Sequence, residues 1–318
     1  MNSKLAVLNK IKAYDSIVIY GHRLPDGDCY GSQIALKEII KENFPNKKVY
    51  IVGSGLPQFF DILGKMDEVS DEIIINSLAL LTDISDLHRS EDTRIYNTKE
   101  RIKIDHHIDE THFEGDKYVD EDAIATCLMI VEFAKEFNLK INKIAANALF
   151  LGIVTDSGRF QYQPLNKKTF ELVASLFDYG LDTKMIYDAL YFEDEKMLKY
   201  RGYMMLNYQK TPHGVVYLKV DIETYHKFGL KFHQVSNQVN NLGGIKDCPI
   251  WLLFTESDID GTIRVEYRSN GTNVQEIAVI FGGGGHLNAA GSKVSKEDGW
   301  AKVDEIINYC DEIASKGE

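Results

Sequence analysis

Short apolar runs alternate with polar loops and amphipathic stretches from the start of the chain to about residue 180. SIVIY (16–20), KKVYIV (47–52), SLALLTD (77–83) and RIKID (101–105) read as strands, each bounded by polar or turn-forming residues. SQIALKEIIKENF reads as a helix after the first loop, and ATCLMIVEFAKEF (125–137) as another. INKIAANALFLGIVTD (141–156) reads as a helix running into a further strand. Alternation of this kind predicts an α/β domain: a doubly wound parallel sheet with helices on both faces.

Around 181–212 the pattern becomes one long helical stretch that ends at the turn TPHG. VVYLKVD (215–221) follows, then PIWLLFTES and TIRVEYRS, joined by a hairpin turn at Asp258-Ile259-Asp260-Gly261. NVQEIAVIFG carries Val274, Ile277, Ala278 and Phe281 on one helical face, and GGGGH comes directly after it. A terminal helix spaces Trp300, Val303, Ile306, Ile307, Cys310 and Ile313 helically. The expected layout is a catalytic α/β domain over residues 1–185, a helical connector over 186–212 and a smaller α+β domain over 213–318, with the active cleft between the domains.

At 318 residues the chain exceeds the usual size of a single core, which agrees with two domains. No run approaches the ~20 apolar residues needed to cross a bilayer. The opening MNSKLAVLNKIKAYDS has scattered charges and no apolar block, so a cytoplasmic protein without a membrane partner is expected. The four cysteines, Cys29, Cys127, Cys248 and Cys310, form no C-x-x-C pair, which suggests reduced thiols rather than a zinc site or a disulfide framework. A net charge of -12 argues against coating long nucleic acid, which needs a broad basic surface. A small anionic substrate needs a few local cations and metals, and stays compatible.

Candidate chemistry gathers where the strands end. GHRLPDGDCYGS (21–32) puts His22, Asp26 and Asp28 between a strand and a helix, with Pro25 and Gly27 forcing a tight turn. Asp83 ends the strand SLALLTD, where a helix N-cap is the plain alternative. Asp105-His106-His107 ends the next strand, and Asp156 follows GIVT with Arg159 behind it. Each motif alone is weak, but loops at the carboxyl ends of parallel strands form the ligand crevice of such sheets. Six metal-compatible residues, His22, Asp26, Asp28, Asp83, His106 and Asp156, are therefore expected on one sheet edge.

Carboxylates with two imidazoles and no thiolate suit manganese, with magnesium, cobalt or iron as substitutes. Six donors are too many for one catalytic ion that keeps open positions. They suit two ions sharing a bridging carboxylate, an arrangement that clamps the attacking and leaving oxygens in phosphoryl hydrolysis.

The order H-x-x-P-D-G-D, Asp83, D-H-H, then Asp156 in T-D-S-G-R-F resembles the DHH phosphoesterase superfamily. The ending R-S-N-G…G-G-G-G-H-x-x-A-A-G (268–291) resembles its DHHA1 subfamily, particularly the NrnA-like nanoRNases and pAp phosphatases. The resemblance covers nearly the whole chain. It implies one ion on His22, Asp26 and Asp83, and a second on Asp28, Asp83, His106 and Asp156. It implies further that His107 contacts the scissile phosphate and that Asp105 orients the histidine pair. Cys29 and Tyr30 fall where family members carry small or variable residues. The family usually continues Asp83 with Thr or Ser. This chain has Ile84-Ser85, which leaves the hydroxyl beside Asp83 unassigned.

In the C-terminal motif, four glycines let the backbone approach a ligand and offer N–H groups to an anion, though a helix terminator is the bland alternative. Gly283, Gly284, Gly285, His286, Arg268 and Ser269 are the expected substrate-binding residues. His88, His112, His213, His226 and His233 match no ligand spacing and read as surface or structural. The expected activity is manganese-dependent hydrolysis of very short oligoribonucleotides to mononucleotides, of pAp to AMP and phosphate, or of both. The rival readings are a cyclic-di-AMP/pApA phosphodiesterase and, in another class, a non-catalytic nucleotide sensor. The expected partner is a nucleotide or short oligonucleotide, with homodimerisation left open.

Overall fold

The computed structural model describes residues 3–108, 113–162 and 165–316; His112 lies outside them. The chain divides into two compact units, Met1–Phe192 and Glu193–Glu318.

The first unit is built on five parallel strands: β1 (Ser16–Tyr20), β2 (Lys48–Val52), β3 (Leu78–Thr82), β4 (Glu100–Asp105) and β5 (Asp116–Val119). Their order in the sheet is β2-β1-β3-β4-β5, all parallel. Its helices are α1 (Ser3–Ala13), α2 (Gly27–Asn43), α3 (Phe60–Leu63), α4 (Asp71–Asn76), α5 (Thr126–Glu136), α6 (Lys143–Asp156), α7 (Lys167–Ser175) and α8 (Thr183–Tyr191). Alternate strand residues feed two separate cores. Ile17, Ile19, Leu78 and Leu80 pack on one face with α2, α5 and α6, while Val18, Tyr20, Ala79 and Leu81 pack on the other with Ile74 and Ile95. Both faces are covered, which is why β1 and β3 read as unbroken apolar runs.

Three readings change here. The run 141–156 is a single helix, α6, with no strand at its end, so Asp156 is delivered by a helix C-terminus. The strand β5, two charged residues and two apolar ones at the sheet edge, has no apolar run to mark it. The stretch 181–212 is broken at Phe192, with α8 in the first unit and α9 (Glu195–Asn207) in the second.

The second unit holds a mixed six-stranded sheet. After α9 come β6 (Gln209–Lys210), β7 (Val215–Val220), α10 (Ile222–Lys227) and α11 (Phe232–Val235). They are followed by β8 (Ile250–Glu256), β9 (Ile263–Ser269), α12 (Val274–Ile280), β10 (Gly284–His286), β11 (Ala289–Val294) and α13 (Gly299–Ser315). The order is β10-β11-β9-β8-β7-β6, with β7 and β8 parallel and the remaining pairs antiparallel. One face packs against α12 and α13 through Val265, Tyr267, Ile277 and Ile306, and Val216, Leu218 and Leu253 form a second core with α9. The fold is thus a doubly wound parallel α/β unit with a smaller α+β unit beside it in sequence.

Candidate metal centre

Helices α2 and α6 cross closely because glycine stands at their contacts. A Cβ on Gly27 would lie 2.2 Å from Thr155 Oγ1, and one on Gly152 would lie 2.6 Å from Asp28 Oδ1. No side chain larger than hydrogen fits there. That approach brings the first turn of α2, with Asp28, to the C-terminal end of α6, with Asp156.

Asp26 caps α2, its carboxylate accepting the N–H groups of Asp28 and Cys29 at 3.0 Å. The Asp28 carboxylate is wholly buried and accepts the N–H groups of Thr126 and Cys127, at 2.7 and 2.9 Å, from the start of α5. Asp83 follows β3 in the left-handed conformation, φ 58°, sparsely populated by non-glycine residues and common where function holds a residue in place. Its N–H is fixed by the Ile104 carbonyl, and its Oδ1 accepts from the Thr126 hydroxyl at 3.2 Å. Thr126 thus supplies the hydroxyl beside Asp83 that the local Ile84-Ser85 sequence left unassigned, since Ile84 is buried in the core.

Around these carboxylates stand three histidines. His22 Nε2 lies 3.5 Å from Asp83 Oδ2 and 3.8 Å from Asp26 Oδ1, while its Nδ1 faces the Arg23 carbonyl. His106 Nε2 lies 3.2 Å from Asp156 Oδ2, 3.5 Å from Asp83 Oδ1 and 4.0 Å from Asp28 Oδ2. Its Nδ1 is oriented by the Ala123 carbonyl at 3.1 Å. His107 Nδ1 lies 2.8 Å from the fully buried Asp105 and 3.6 Å from Asp83 Oδ1. Asp105 therefore orients His107 alone, and His106 takes its orientation from backbone.

The electrostatics follow from that crowding. Burial pushes the Asp28 carboxyl well above the usual carboxylate range, and Asp83 and Asp156 push it further. Asp156 rises to about 6, through burial first, with His106 opposing and Asp83 and Asp26 adding. Burial disfavours a charged His22, but its contacts with Asp26 and Asp83 outweigh that and raise its pKa. His107 is raised chiefly by its bond to Asp105. Among the described residues no lysine or arginine pairs with Asp28, Asp83 or Asp156. Buried like charges without a cation are costly unless protonated or bound to metal.

Three donor trios have all their ligand atoms within 4.8 Å of one another: His22, Cys29 and Asp83; Asp83, His106 and His107; Asp28, His106 and Asp156. Asp83 belongs to two of them, and so does His106. Each trio offers carboxylate, imidazole or thiol donors that could hold a metal ion. Five of the six expected ligands fall in these trios; Asp26 reaches His22 but joins none.

The C-terminal residues lie on the second sheet. The strand register aligns Arg268, Ala289 and His286 in one row across β9, β11 and β10. Arg268 is held by the Tyr267 carbonyl at 2.9 Å and faces Glu266 at 3.4 Å, and Glu266 also pairs with Arg264 at 2.6 Å. Ser269 bonds to the Thr272 carbonyl. Gly282 ends α12 at φ 74°, which accounts for the first glycine as a terminator. A Cβ on Gly283 or Gly285 would strike the Gly291 or Ala289 carbonyl, so these two serve the β10–β11 pairing, whereas Gly284 faces open space. His213 and His226 hydrogen-bond to Asp311 and Asp258, His88 contacts Tyr96, and His233 is exposed.

The model of the DHH family, N-terminal domain, matches residues 16–153, and that of the DHHA1 domain matches 213–316. The chain is 36% identical to the probable bifunctional oligoribonuclease and PAP phosphatase NrnA of Streptococcus mutans, over 92% of this chain and 94% of that one. It is 30% identical to the bifunctional oligoribonuclease and PAP phosphatase NrnA of Bacillus subtilis, over 99% of this chain and 100% of that one. In fold it matches the crystal structure of an exopolyphosphatase-related protein from Bacteroides fragilis, with a TM-score of 0.83 at 22% identity, covering 98% of this chain and 97% of that chain. No helix among the described residues is long and apolar enough to cross a membrane.

Proposed function

The chain belongs to the DHH family of phosphoesterases, and from that premise we propose that it is a manganese-dependent, two-metal hydrolase of very short oligoribonucleotides and of pAp. The observation that carries this reading is the sharing of Asp83 between two donor trios, with no lysine or arginine paired to it among the described residues. The names of its relatives point to the same two substrate classes.

In this reading His22, Asp26 and Asp83 would hold one ion, and Asp28, Asp83, His106 and Asp156 would hold the other. The ions would supply Lewis-acid polarisation of the phosphoryl oxygens and a water of lowered pKa. The chain's own groups do the positioning. Thr126 and the α5 N-terminus hold Asp83 and Asp28 in place. The buried Asp105 fixes the His107 ring with a proton on Nδ1, favouring the cationic form that suits an anionic phosphoryl group. On the second unit, Arg268, Ser269, His286 and the open backbone at Gly284 are the groups that would bind nucleotide phosphate, with Gly283 and Gly285 shaping that strand pair.

A substrate panel with manganese tests the reading: pAp, two-to-five-residue RNAs, pApA, cyclic di-AMP and pyrophosphate. Turnover should be fastest on pAp and two-to-four-residue RNAs and fall with length at fixed salt, because a chain of net charge -12 repels a long polyanion. Efficient digestion beyond about a dozen nucleotides, the upper part of single-module strand sites, would overturn it. Preference for cyclic di-AMP or pApA would favour the dinucleotide reading, and binding without turnover the sensor reading.

A further inference from the structure

Cys29 is the third residue of α2 and fully buried, yet its sulfur does not lie in an apolar pocket. The His22 backbone N–H points at Cys29 Sγ, 3.2 Å away. The sulfur also stands within 4.8 Å of the ligand atoms of both His22 and Asp83. Strand β1 exits directly over it: a Cβ on Gly21 would lie 2.6 Å from Cys29 Sγ.

The other buried cysteines differ. Cys310 packs among Val303, Ile306 and Ile307 and behaves as a small hydrophobe. Cys127 gives its N–H to Asp28 and its thiol to backbone carbonyls, and belongs to none of the trios among the described residues. Burial pushes the Cys29 thiol up to about 11, so the site does not by itself make a thiolate; the geometry places the sulfur where an ion held by His22 and Asp83 would reach it.

We propose that Cys29 is a thiolate ligand at the His22–Asp83 end of the metal centre, adding to a manganese-using site one soft donor that zinc or cobalt would hold more tightly. The inference rests on the metal reading of the site above. With an ion held there, the Cys29 thiol proton and the His22 imidazolium proton would both leave to solvent, and Cys29 would join Asp26, Asp83 and a neutral His22 as donors. Thiolate prefers thiophilic ions, so zinc should displace manganese from this end first.

The test is a cobalt titration of the full-length, chelator-treated protein, following near-ultraviolet absorption and cobalt content together. Thiolate bound to cobalt gives an intense charge-transfer band that nitrogen and oxygen donors do not. The wild-type protein should develop the band with the first equivalent bound. Cys29→Ser and Cys29→Ala should bind cobalt without it, and Cys127→Ser should keep it. Zinc affinity should fall by more than about tenfold in Cys29→Ser, beyond the lower range for groups that only support a ligand, and manganese affinity by less. The wild-type spectrum is decisive even if a variant misfolds. Cobalt bound to wild-type protein without the band overturns the thiolate assignment and leaves the metal centre standing. A band that survives Cys29→Ser and disappears in Cys127→Ser also overturns it. Failure to take up cobalt, zinc or manganese at all would sink both the assignment and the metal reading beneath it.

Discussion

The two units treat their charges in opposite ways. At the first, Asp28 and Asp83 are buried against each other and against Asp156, with imidazoles as their polar neighbours and no lysine or arginine paired to them among the described residues. At the second, the polar face of the sheet only partly balances itself: the one carboxylate of Glu266 pairs with Arg264 and faces Arg268, leaving one positive charge over. An arrangement that is costly when empty needs a ligand, whereas one largely paired, with a cation to spare, tolerates an anionic ligand and yields it readily. The first pattern suits permanent ions, and the second suits a substrate group that must come and go.

Asp83→Asn offers the most severe way to break the contrast. Asparagine keeps the shape and the Thr126 hydroxyl contact but removes the charge shared by two donor trios. Activity should fall by several orders of magnitude and manganese content should drop, with the fold unchanged by circular dichroism. Near-normal turnover with manganese still bound would remove Asp83 from its bridging place.

The adjacent histidines sharpen the same comparison within one site. His106 faces Asp28, Asp83 and Asp156, whereas His107 is locked to Asp105. His106→Ala should lower metal occupancy. His107→Ala should keep both ions and lose about a hundredfold to a thousandfold in kcat, the range for removing one transition-state donor. Metal analysis with the opposite pattern would exchange their roles.

Much of this centre was legible in the sequence because β1, β3 and β4 each end an apolar run in a polar residue. His22, Asp83 and the Asp105-His106-His107 run all sit at such ends. The sequence places Asp156 at a strand end, whereas the C-terminus of α6 delivers it to the cluster. Ala145–Val154 is buried throughout, so α6 shows no polar stripe, and a short apolar run cannot tell a buried helix from a strand. Thr126 was missed because its contribution to Asp28 is a backbone N–H, a donor that every residue but proline carries. Cys29 was passed over for a related reason: ligand spacing shows nothing in His22 and Cys29 until a strand exit and a helix start fold onto each other.

The partly balanced face yields a smaller effect. Arg268→Ala removes a charge-assisted donor from the row it shares with His286, worth about tenfold to a hundredfold in KM for nucleotides. A small artificial diester such as bis-p-nitrophenyl phosphate has no second phosphate and should be hydrolysed almost as before. Equal losses on both substrates would make Arg268 structural or directly catalytic.

Glu266→Gln tests that partial balance itself and should move the numbers least. Glu266 holds Arg264 at 2.6 Å, while its other oxygen faces Arg268 at 3.4 Å, the weaker of the two contacts. Glutamine keeps the volume and an acceptor for Arg264, but no longer offers Arg268 a negative charge in competition with a phosphate. The freed guanidinium should bind nucleotide more tightly, lowering KM by up to roughly fivefold, the scale of a partly exposed ion pair. The gain should shrink as salt screens the charges and should be absent for the small diester. A rise in KM would show instead that Glu266 positions Arg268 for its ligand, and the partly balanced face would then be a preorganised one.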